Sequence, residues 1–404
     1  MSQSAPGADA PDEASVPLDQ AGYSSDIEME QMAFDGFEPE APTTEISDPF
    51  DPEQINVKTK TMTVDLMLSR LRRKVLFLNP DFQRNAGIWN QAKQSQLIES
   101  LLLRIPLPTF YAAETNAQES WEMVDGVQRL TTISRFIEPE LVGEPPLVLK
   151  GLQYLRKLNG LTYDQLPGGL KTRLHETEFV VHVIGLGTPE EVKFNIFARI
   201  NTGGMPLTLQ ELRHALNPGK ARELLGELAA AESFQLATLG RVSDKRMSDR
   251  EMVLRFLAFR LSNPSDYRAA DLDEFLREAM SDINHLPDDQ IDALRQEFDH
   301  AMDASRAIFG DNAFRKQVRG KDRLSPINKA LFETVAVNLA TRSAPQIAML
   351  RRNSQQVNDG LISLLENVEF DRAISMSTGD NAKVRLRFAL VDALFEQHQG
   401  DVDA

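Results

Sequence analysis

The sequence predicts an α+β fold, in which a small sheet with helices is followed by an all-helical domain. Short segments with β-branched or alternating residues predict the strands, namely Leu76–Leu78, Thr109–Ala113, Trp121–Val124 and Phe179–Ile184. Beyond residue 206, apolar residues recur every three or four positions, which is the helical period. This change of period predicts two structural classes in one chain.

An acidic N-terminal tail precedes both domains. Residues 1–57 contain 14 acids and neither Lys nor Arg, whereas the rest of the chain carries 46 acids and 44 bases. The tail has too little apolar surface to offset the entropy of ordering, so we expect it to be disordered. We therefore divide the chain into a disordered acidic tail, 1–56, an α+β domain, 57–205, and a helical domain, 206–404.

Within the tail, the segment 23–37 alternates acids with apolar residues. This pattern is typical of a tail that only solvates the protein. It is also typical of a segment that binds a protein partner or covers the protein's own nucleic-acid site. Because the body without the tail is nearly neutral, the sequence pI of 5.0 does not argue against phosphate or nucleic-acid binding.

The composition excludes several classes of protein. The chain has no cysteine, which excludes a disulfide framework, a cysteine zinc site and a cysteine nucleophile, and which fits a cytoplasmic location. The N-terminus has neither the basic nor the apolar region of a signal peptide. No apolar run approaches the roughly 18 residues of a membrane-spanning helix, so we expect no membrane partner.

Helix boundaries are marked by capping residues and by proline. Asn90 is placed to cap a helix that ends before Pro106, and Thr208 with Glu211 has the spacing of a capping box. In the α+β domain, the predicted helices are 61–73, 90–104, 130–136 and 189–200. In the helical domain, they are 208–217, 219–231, 248–262, 271–279, 288–308, 326–341, 345–366 and 383–398.

The junction after the strand at Trp121 carries the residues best suited to chemistry. Asp125 and Gly126 end the strand, and Arg129 follows where a helix begins. Glycine permits a tight turn, and the free amides of a helix start favour an anion. Arg129 offers donors for phosphate oxygens, and Asp125 could hold a metal ion or orient a water. The alternative is a turn with a purely structural role, in which Arg129 is solvated or paired to an acid.

Two further clusters have similar properties. Gln83 and Arg84 follow the Asn79-Pro80 turn and could reach a phosphate or a base edge. Residues 201–204, Asn-Thr-Gly-Gly, form a turn whose backbone amides could make an anion-binding nest. The alternative for this turn is a helix stop followed by a new cap.

Together, these clusters resemble the GmrSD restriction endonuclease N-terminal domain family, whose members look like the ParB/sulfiredoxin fold with a helical extension. Pro80–Trp89 matches the family's P-x-(Y/F)-Q-R-x(4)-W, and Leu97–Leu102 matches L-I-E-S-(L/I)-L. Asp125–Thr132 matches D-G-Q-Q-R-L-T-(S/T), and Arg199–Arg213 matches the segment from (R/K)-x-N-x-x-G to E-L-(R/K). The resemblance covers about residues 60–340.

This resemblance implies Mg²⁺-dependent NTP hydrolysis in restriction systems that sense modified DNA. It places Asp125, Gln128 and Arg129 in a catalytic loop, with Asp125 as the metal ligand. The nucleotide-binding residues that it implies are Gln83, Arg84, Gly126, Thr131, Asn201 and Gly204. Sulfiredoxin chemistry is not carried over, because it needs a cysteine.

The chain departs from the family pattern in two respects. Val127 stands where the motif has its first Gln, and hydrolysis would be weakened if that amide orients a water. Many relatives carry a fused H-N-H-like nuclease, but the six His have no matching spacing. We therefore expect no fused nuclease, and any DNA cleavage would be performed by a partner in trans.

Two basic runs in the helical domain are a further candidate surface. One contains Arg241, Lys245, Arg246, Arg250 and Arg255, and the other contains Arg315, Lys316, Arg319, Lys321 and Arg323. Both runs could follow a DNA backbone, but such runs are also typical of solvated helix faces.

The sequence thus favours a nucleotide-binding, NTP-hydrolysing protein of a prokaryotic restriction or phage-defence type that acts on or senses DNA. A second hypothesis is a non-hydrolysing nucleotide- or DNA-binding regulatory module with an acidic interaction tail. A third is direct endonuclease activity, with Asp125 and either Glu99 or Glu122 as metal ligands. The sequence does not identify the nucleotide, the DNA modification, the oligomeric state or the partner of the tail.

Overall fold

The computed structural model describes most of the chain beyond the N-terminal tail. The described residues are 56–78, 89–115, 120–189, 192–194, 196–197, 208–269, 271–320 and 324–400. The tail predicted for 1–56 therefore lies outside the described residues, apart from Asn56. So does the predicted cluster at Gln83 and Arg84.

Five strands form one mixed sheet. They are β1 (Val57–Thr63), β2 (Leu76–Phe77), β3 (Phe110–Glu114), β4 (Trp121–Asp125) and β5 (Glu178–Ile184). Their order across the sheet is β1-β5-β3-β4-β2. β1 pairs antiparallel with β5, and β3 with β4, whereas β3–β5 and β2–β4 are parallel pairs.

Alternation along the strands decides which face of the sheet is buried. In β5, Phe179, Val181 and Val183 are buried, while Glu178 and Val180 are exposed. The buried residues join a core that extends to the helices α1 (Val64–Arg72), α2 (Gln91–Leu102) and α3 (Val127–Ile137). The sheet therefore has one face packed against helices and a second face with exposed side chains.

Local capping fixes where these helices begin. The Thr63 hydroxyl accepts the Leu66 N–H at the start of α1, and the Asn90 side chain accepts the Lys93 N–H at the start of α2. A fourth helix, α4 (Gly168–Glu176), leads into β5. Residues 192–194 and 196–197, within the helix predicted after Pro189, are also helical.

In the sheet domain, two helix boundaries differ by three residues from the sequence prediction, which also missed α4. Residues 61–63, predicted as the first turn of a helix, belong to β1, because they pair with residues 178–180 of β5. α3 begins at Val127 rather than at Leu130, directly after the glycine turn. The first boundary is set by strand pairing, a tertiary contact, and the second by the positive φ of Gly126, a local conformation.

The part of the chain described after residue 208 is built from helices. They are α5 (Leu209–Leu216), α6 (Lys220–Ala230), α7 (Glu232–Thr238), α8 (Ser248–Leu261), α9 (Leu272–His285), α10 (Asp288–Phe309), α11 (Lys329–Ala340), α12 (Ala344–Arg352), α13 (Ser354–Glu366), α14 (Val368–Ser375) and α15 (Asn381–His398). A single β-bridge, Arg315 with Ile327, is the only extended pairing in this described part. The predicted α+β class with an all-helical second domain is confirmed.

Some helices of this domain were not predicted as such. α7 and α14 were missed, and the predicted helix 345–366 is two helices that meet at Asn353. The core of the domain is aromatic. Phe298 packs on Phe256 and Phe234 with ring centroids 5.1 and 5.9 Å away, and Phe332 contacts Phe234 at 6.1 Å.

Helix α5 joins the two domains. Its Leu212 and Ala215 are buried in the core of the sheet domain. On the same helix, Arg213 forms an ion pair with Asp273 of α9. The two domains therefore meet around α5, while the boundary predicted between residues 205 and 206 falls outside the described residues.

A buried ion pair makes a second connection between the domains. Glu122 of β4 lies 2.8 Å from the guanidinium of Arg222 on α6. Glu122 points to the face of the sheet that α1–α3 do not cover, because it alternates along β4 with Trp121 and Met123, which belong to the core. The helical domain therefore covers the β4 end of that second face.

Candidate nucleotide site

The turn between β4 and α3 depends on the glycine at its centre. Gly126 has φ of +95°, a backbone conformation that L-residues with a side chain rarely adopt. A Cβ at this position would also overlap the Phe110 ring, lying 2.8 Å from its Cε1 atom. The turn therefore requires glycine both for its backbone conformation and for its close contact with Phe110.

The same turn leaves the N-terminus of α3 able to bind an anion. Gly126 is the cap residue, and it has no side chain that could accept the N–H groups of the first turn. These amides and the helix dipole together favour a negative group. Asp125 immediately precedes the cap, so an anion bound there would meet a carboxylate unless a cation lay between them.

Arg129 turns inward, and the structure records three hydrogen bonds from it. The guanidinium donates to the carbonyl of Pro108, to that of Thr109 at 3.1 Å, and to Asp125 Oδ2 at 2.9 Å. It also lies over the Phe110 ring, 4.5 Å from the centroid. Since a guanidinium has five N–H donors, this arrangement fixes the loop before β3 and still leaves donors for a ligand.

Burial dominates the electrostatics of this arginine. Only 9% of Arg129 is exposed. Burial lowers the pKa of its guanidinium, and the charge of Asp125 only partly opposes this effect. The group nevertheless stays charged, because the ordinary pKa of arginine is far above neutrality.

Asp125 is the accessible member of the pair. Its side chain is 36% exposed, and the recorded hydrogen bond uses only Oδ2. The carboxylate is therefore held in place by Arg129 while Oδ1 is available to a ligand. Mg²⁺ is commonly bound by one or two carboxylates together with phosphate oxygens and water, and this donor set fits that use.

The remaining predicted site residues differ in accessibility. Gln128 is half-buried on the first turn of α3, and its carbonyl accepts the Thr132 hydroxyl at 2.7 Å. Thr131 is buried. Val127 is only 6% exposed and belongs to the core of the sheet domain. Asn201 and Gly204, like Gln83 and Arg84, lie outside the described residues.

The two carboxylates proposed for a nuclease centre have structural partners. Glu99 accepts the backbone N–H groups of residues 153, 154 and 155 at 3.0, 2.7 and 2.7 Å. Burial raises the pKa of Glu99, but these backbone donors outweigh it and hold the pKa below its ordinary value. Glu122 is paired with Arg222. Within the described ranges, no group of three His, Asp or Glu is arranged to hold a metal.

The two predicted basic runs come together in the structure, but two of their members, Arg255 and Arg315, are buried. Arg255 pairs with Glu251 at 2.9 Å, and Arg315 donates to the carbonyls of Ser325 and Thr238. The bond to Thr238 brings the second run beside the first. The exposed members are Arg241, Lys245 and Arg319, the last paired with Glu366 at 3.1 Å, while Lys321 and Arg323 lie outside the described residues.

The strand register adds residues that the sequence analysis did not select. Tyr111 of β3 pairs with Asp125 of β4, His182 of β5 pairs with Tyr111, and Thr59 of β1 pairs with His182. The alternation of buried and accessible residues along β5 could have shown that His182 points to the face of the sheet opposite to the buried valines. Which strands are neighbours, however, cannot be read from any one strand. His182 is half-buried on an internal strand.

Of the comparisons with known proteins, one found a match. No curated protein and no solved structure matches the chain. One protein family does match, over residues 65–217, a range that includes the β4–α3 turn and ends just after α5. Residues 65–217 match the family described as the GmrSD restriction endonuclease, N-terminal domain, which is a family of the DNA-restriction type.

Proposed function

We propose that the chain binds a nucleoside triphosphate at the β4–α3 turn and hydrolyses it as part of a DNA-restriction or phage-defence system. The observation that supports this proposal is the N-terminus of α3, whose uncapped amides lie directly beside the ordered carboxylate of Asp125. Amides suit the phosphates, and the carboxylate suits the cation that accompanies them.

Each residue has a distinct role in this proposal. The amides of the first turn of α3 hold the phosphates, and Gly126 leaves these amides without a side-chain cap. Asp125 would hold Mg²⁺, and the cation would neutralise part of the charge of the phosphates. Gln128 orients the attacking water, and Arg129 keeps Asp125 in position and offers its remaining donors to a phosphate. Positioning and charge stabilisation provide most of the rate gain in phosphoryl transfer.

Partners and location complete the proposal. Gln83, Arg84, Asn201 and Gly204 are proposed to contact the nucleotide from the adjoining loops. DNA is proposed to lie along the exposed basic side chains that follow α7, a nuclease to act in trans, and the tail to bind a protein. Within the described ranges, no helix has the length and apolar character needed to cross a membrane. We propose that the protein acts in the cytoplasm.

The direct test is phosphate release from each of the four NTPs with Mg²⁺, with and without DNA. Asp125→Asn removes the charge but keeps the shape and an acceptor for Arg129. Gln128→Ala retains the carbonyl that Thr132 uses. The matched controls are Asp164→Asn and Gln153→Ala, both at exposed positions of the same domain. Turnover should be lost in the first pair and retained in the controls, and equal turnover in all four variants would refute the assignment.

A second function is favoured by one observation. Val127 occupies the position of the first motif Gln and is packed into the core, so this chain has no exposed amide there. The alternative is a module that binds a nucleotide as a switch without hydrolysing it. It predicts that NTP binding requires Asp125 although wild-type turnover is absent, and that Val127→Gln introduces turnover.

A further inference from the structure

One row of side chains crosses four strands of the sheet. Thr59, His182, Tyr111 and Asp125 are successive partners in the register of β1, β5, β3 and β4. Residues opposite each other in a sheet place their side chains on the same face. These four residues, here named the sheet-face row, therefore form a continuous line that ends at the carboxylate of the candidate site.

The row lies on the face of the sheet that α1–α3 do not cover. Phe110 and Val181, which alternate with Tyr111 and His182, are buried in the core, whereas the row residues are half-buried or exposed. The register shifts between Tyr111 and Ala112. Such irregularities redirect a side chain and are common beside active sites. In the described part of the chain, Thr59 is exposed and the other three residues of the row are half-buried.

Two aromatic rings stand side by side within the row. The ring centroids of Tyr111 and His182 are 4.9 Å apart with a tilt of 32°. The hydroxyl of Thr59 lies 2.9 Å from His182 Nδ1 and fixes the orientation of the imidazole. Since neighbouring strands are about 4.8 Å apart, rings on successive strands stack at the spacing that two stacked aromatic groups prefer.

Among the described residues of the row, no ring occupies the next place in this stack. Above β4 the row has Asp125, whose side chain is short and partly exposed. A planar ring inserted there would continue the stack on the outer side of Tyr111. It would also lie beside the N-terminus of α3, where phosphates are proposed to bind. A nucleoside triphosphate has a planar base and phosphates joined by one ribose, which matches this arrangement.

We propose that Tyr111 is the stacking platform for the base of the bound nucleotide. His182 supports the Tyr111 ring from behind, and Thr59 orients His182. This inference rests on the proposed nucleotide binding and adds a base-binding subsite to it. Stacking on an aromatic side chain has little preference among bases, so the subsite contributes affinity more than discrimination between the four bases.

The test uses the full chain and two probes, ATP with Mg²⁺ and inorganic triphosphate with Mg²⁺, measured by titration calorimetry. The second probe has the phosphates but no base. Tyr111→Leu keeps an apolar group of similar volume and removes the flat ring, so it should weaken ATP binding about 10- to 100-fold. Triphosphate binding should be unchanged. Tyr111→Phe should bind ATP as the wild type does.

Tyr154→Leu is the matched control, because Tyr154 is 74% exposed in a loop of the same domain. It should bind both probes like the wild type. As a second measurement, photolabelling of the wild type with 8-azido-ATP should modify the strand segments that contain Tyr111 or His182. This measurement does not require any variant to fold.

Four outcomes would overturn the inference. If Tyr111→Leu binds ATP normally, or if the label falls on other segments, the base binds elsewhere although the phosphate site stands. If Tyr111→Leu weakens binding of a single-stranded oligonucleotide but not of ATP, the platform receives a DNA base instead. If the wild type binds neither ATP nor triphosphate, the proposed function itself fails, and the base subsite fails with it.

Discussion

Replacing Gly126 with alanine should destabilise the sheet domain far more than replacing a glycine of similar backbone conformation elsewhere. Gly126 has φ of +95°, and Gly160 has φ of +87°, but only at Gly126 does a new Cβ meet another side chain. Gly160 has no heavy atom within 4 Å of a new Cβ. The two substitutions thus differ mainly in the contact with Phe110.

The magnitude follows from three contributions. Alanine with a positive φ costs about 1–2 kcal/mol at either site. The unfolded chain with alanine has a smaller conformational entropy, which offsets about 0.4–1 kcal/mol of this cost at either site. At Gly126 alone, overpacking against the fully buried Phe110 adds about 1–3 kcal/mol. We therefore expect Gly126→Ala to cost about 1–3 kcal/mol more than Gly160→Ala.

Tryptophan fluorescence during urea unfolding is the suitable assay. The chain has two tryptophans, Trp89 and Trp121, and both lie in the sheet domain. The signal therefore follows the unfolding of that domain rather than of the helical domain. If the two alanine variants unfold within about 0.5 kcal/mol of each other, the contact with Phe110 does not constrain the turn, and the argument is refuted.

Three further predictions concern buried charges. Arg129→Ala should lower the unfolding free energy by about 3 kcal/mol, because it leaves two carbonyls without their charged donor; fluorescence-detected unfolding measures this, and a loss below about 1 kcal/mol would contradict it. The lowered pKa of Glu99 contributes stability above the unfolded pKa of about 4.3, and this stability is lost as pH falls below that value. In acid titrations, Glu99→Gln should therefore be less stable at neutral pH and less sensitive to pH below 4.3, and parallel curves would oppose this. Arg222→Met should cost about 3 kcal/mol, and adding Glu122→Gln should recover part of it, since part of the loss comes from the buried charge of Glu122 that Arg222 no longer balances and the rest from the hydrogen bonds of Arg222 to the carbonyls of Ala215 and Asn217; a double mutant no more stable than the single one would argue against a contribution from the charge.

The inward position of Arg129 also affects how the proposed activity should be tested. A loss of turnover in Arg129→Ala could come from a displaced loop at residues 108–109 as well as from a lost phosphate contact. Asp125→Asn and Gln128→Ala avoid this ambiguity, because each leaves the recorded hydrogen bonds of the turn able to form. The stability and activity measurements therefore separate the structural role of Arg129 from a role in catalysis.

Sequence reasoning was most successful where the cause is local. The capping box at Thr208 forms as predicted, as does the Asn90 cap. The change from strand to helix at Asp125 and Gly126 is also present, because a glycine with positive φ ends one element and begins the next. The order of motifs identified the family, which a match over residues 65–217 then confirmed. Each of these features depends on residues close together in the chain.

Tertiary structure alone decided how those residues are used. Whether Arg129 faces solvent or the carbonyls of Pro108 and Thr109 depends on a loop about 20 residues away. The sheet-face row exists only because β5 lies between β1 and β3, an order that no single strand specifies. Capping and turns are short-range, so the sequence determines them directly. Strand order and burial are set by the packing of distant segments, and only the folded chain reveals them.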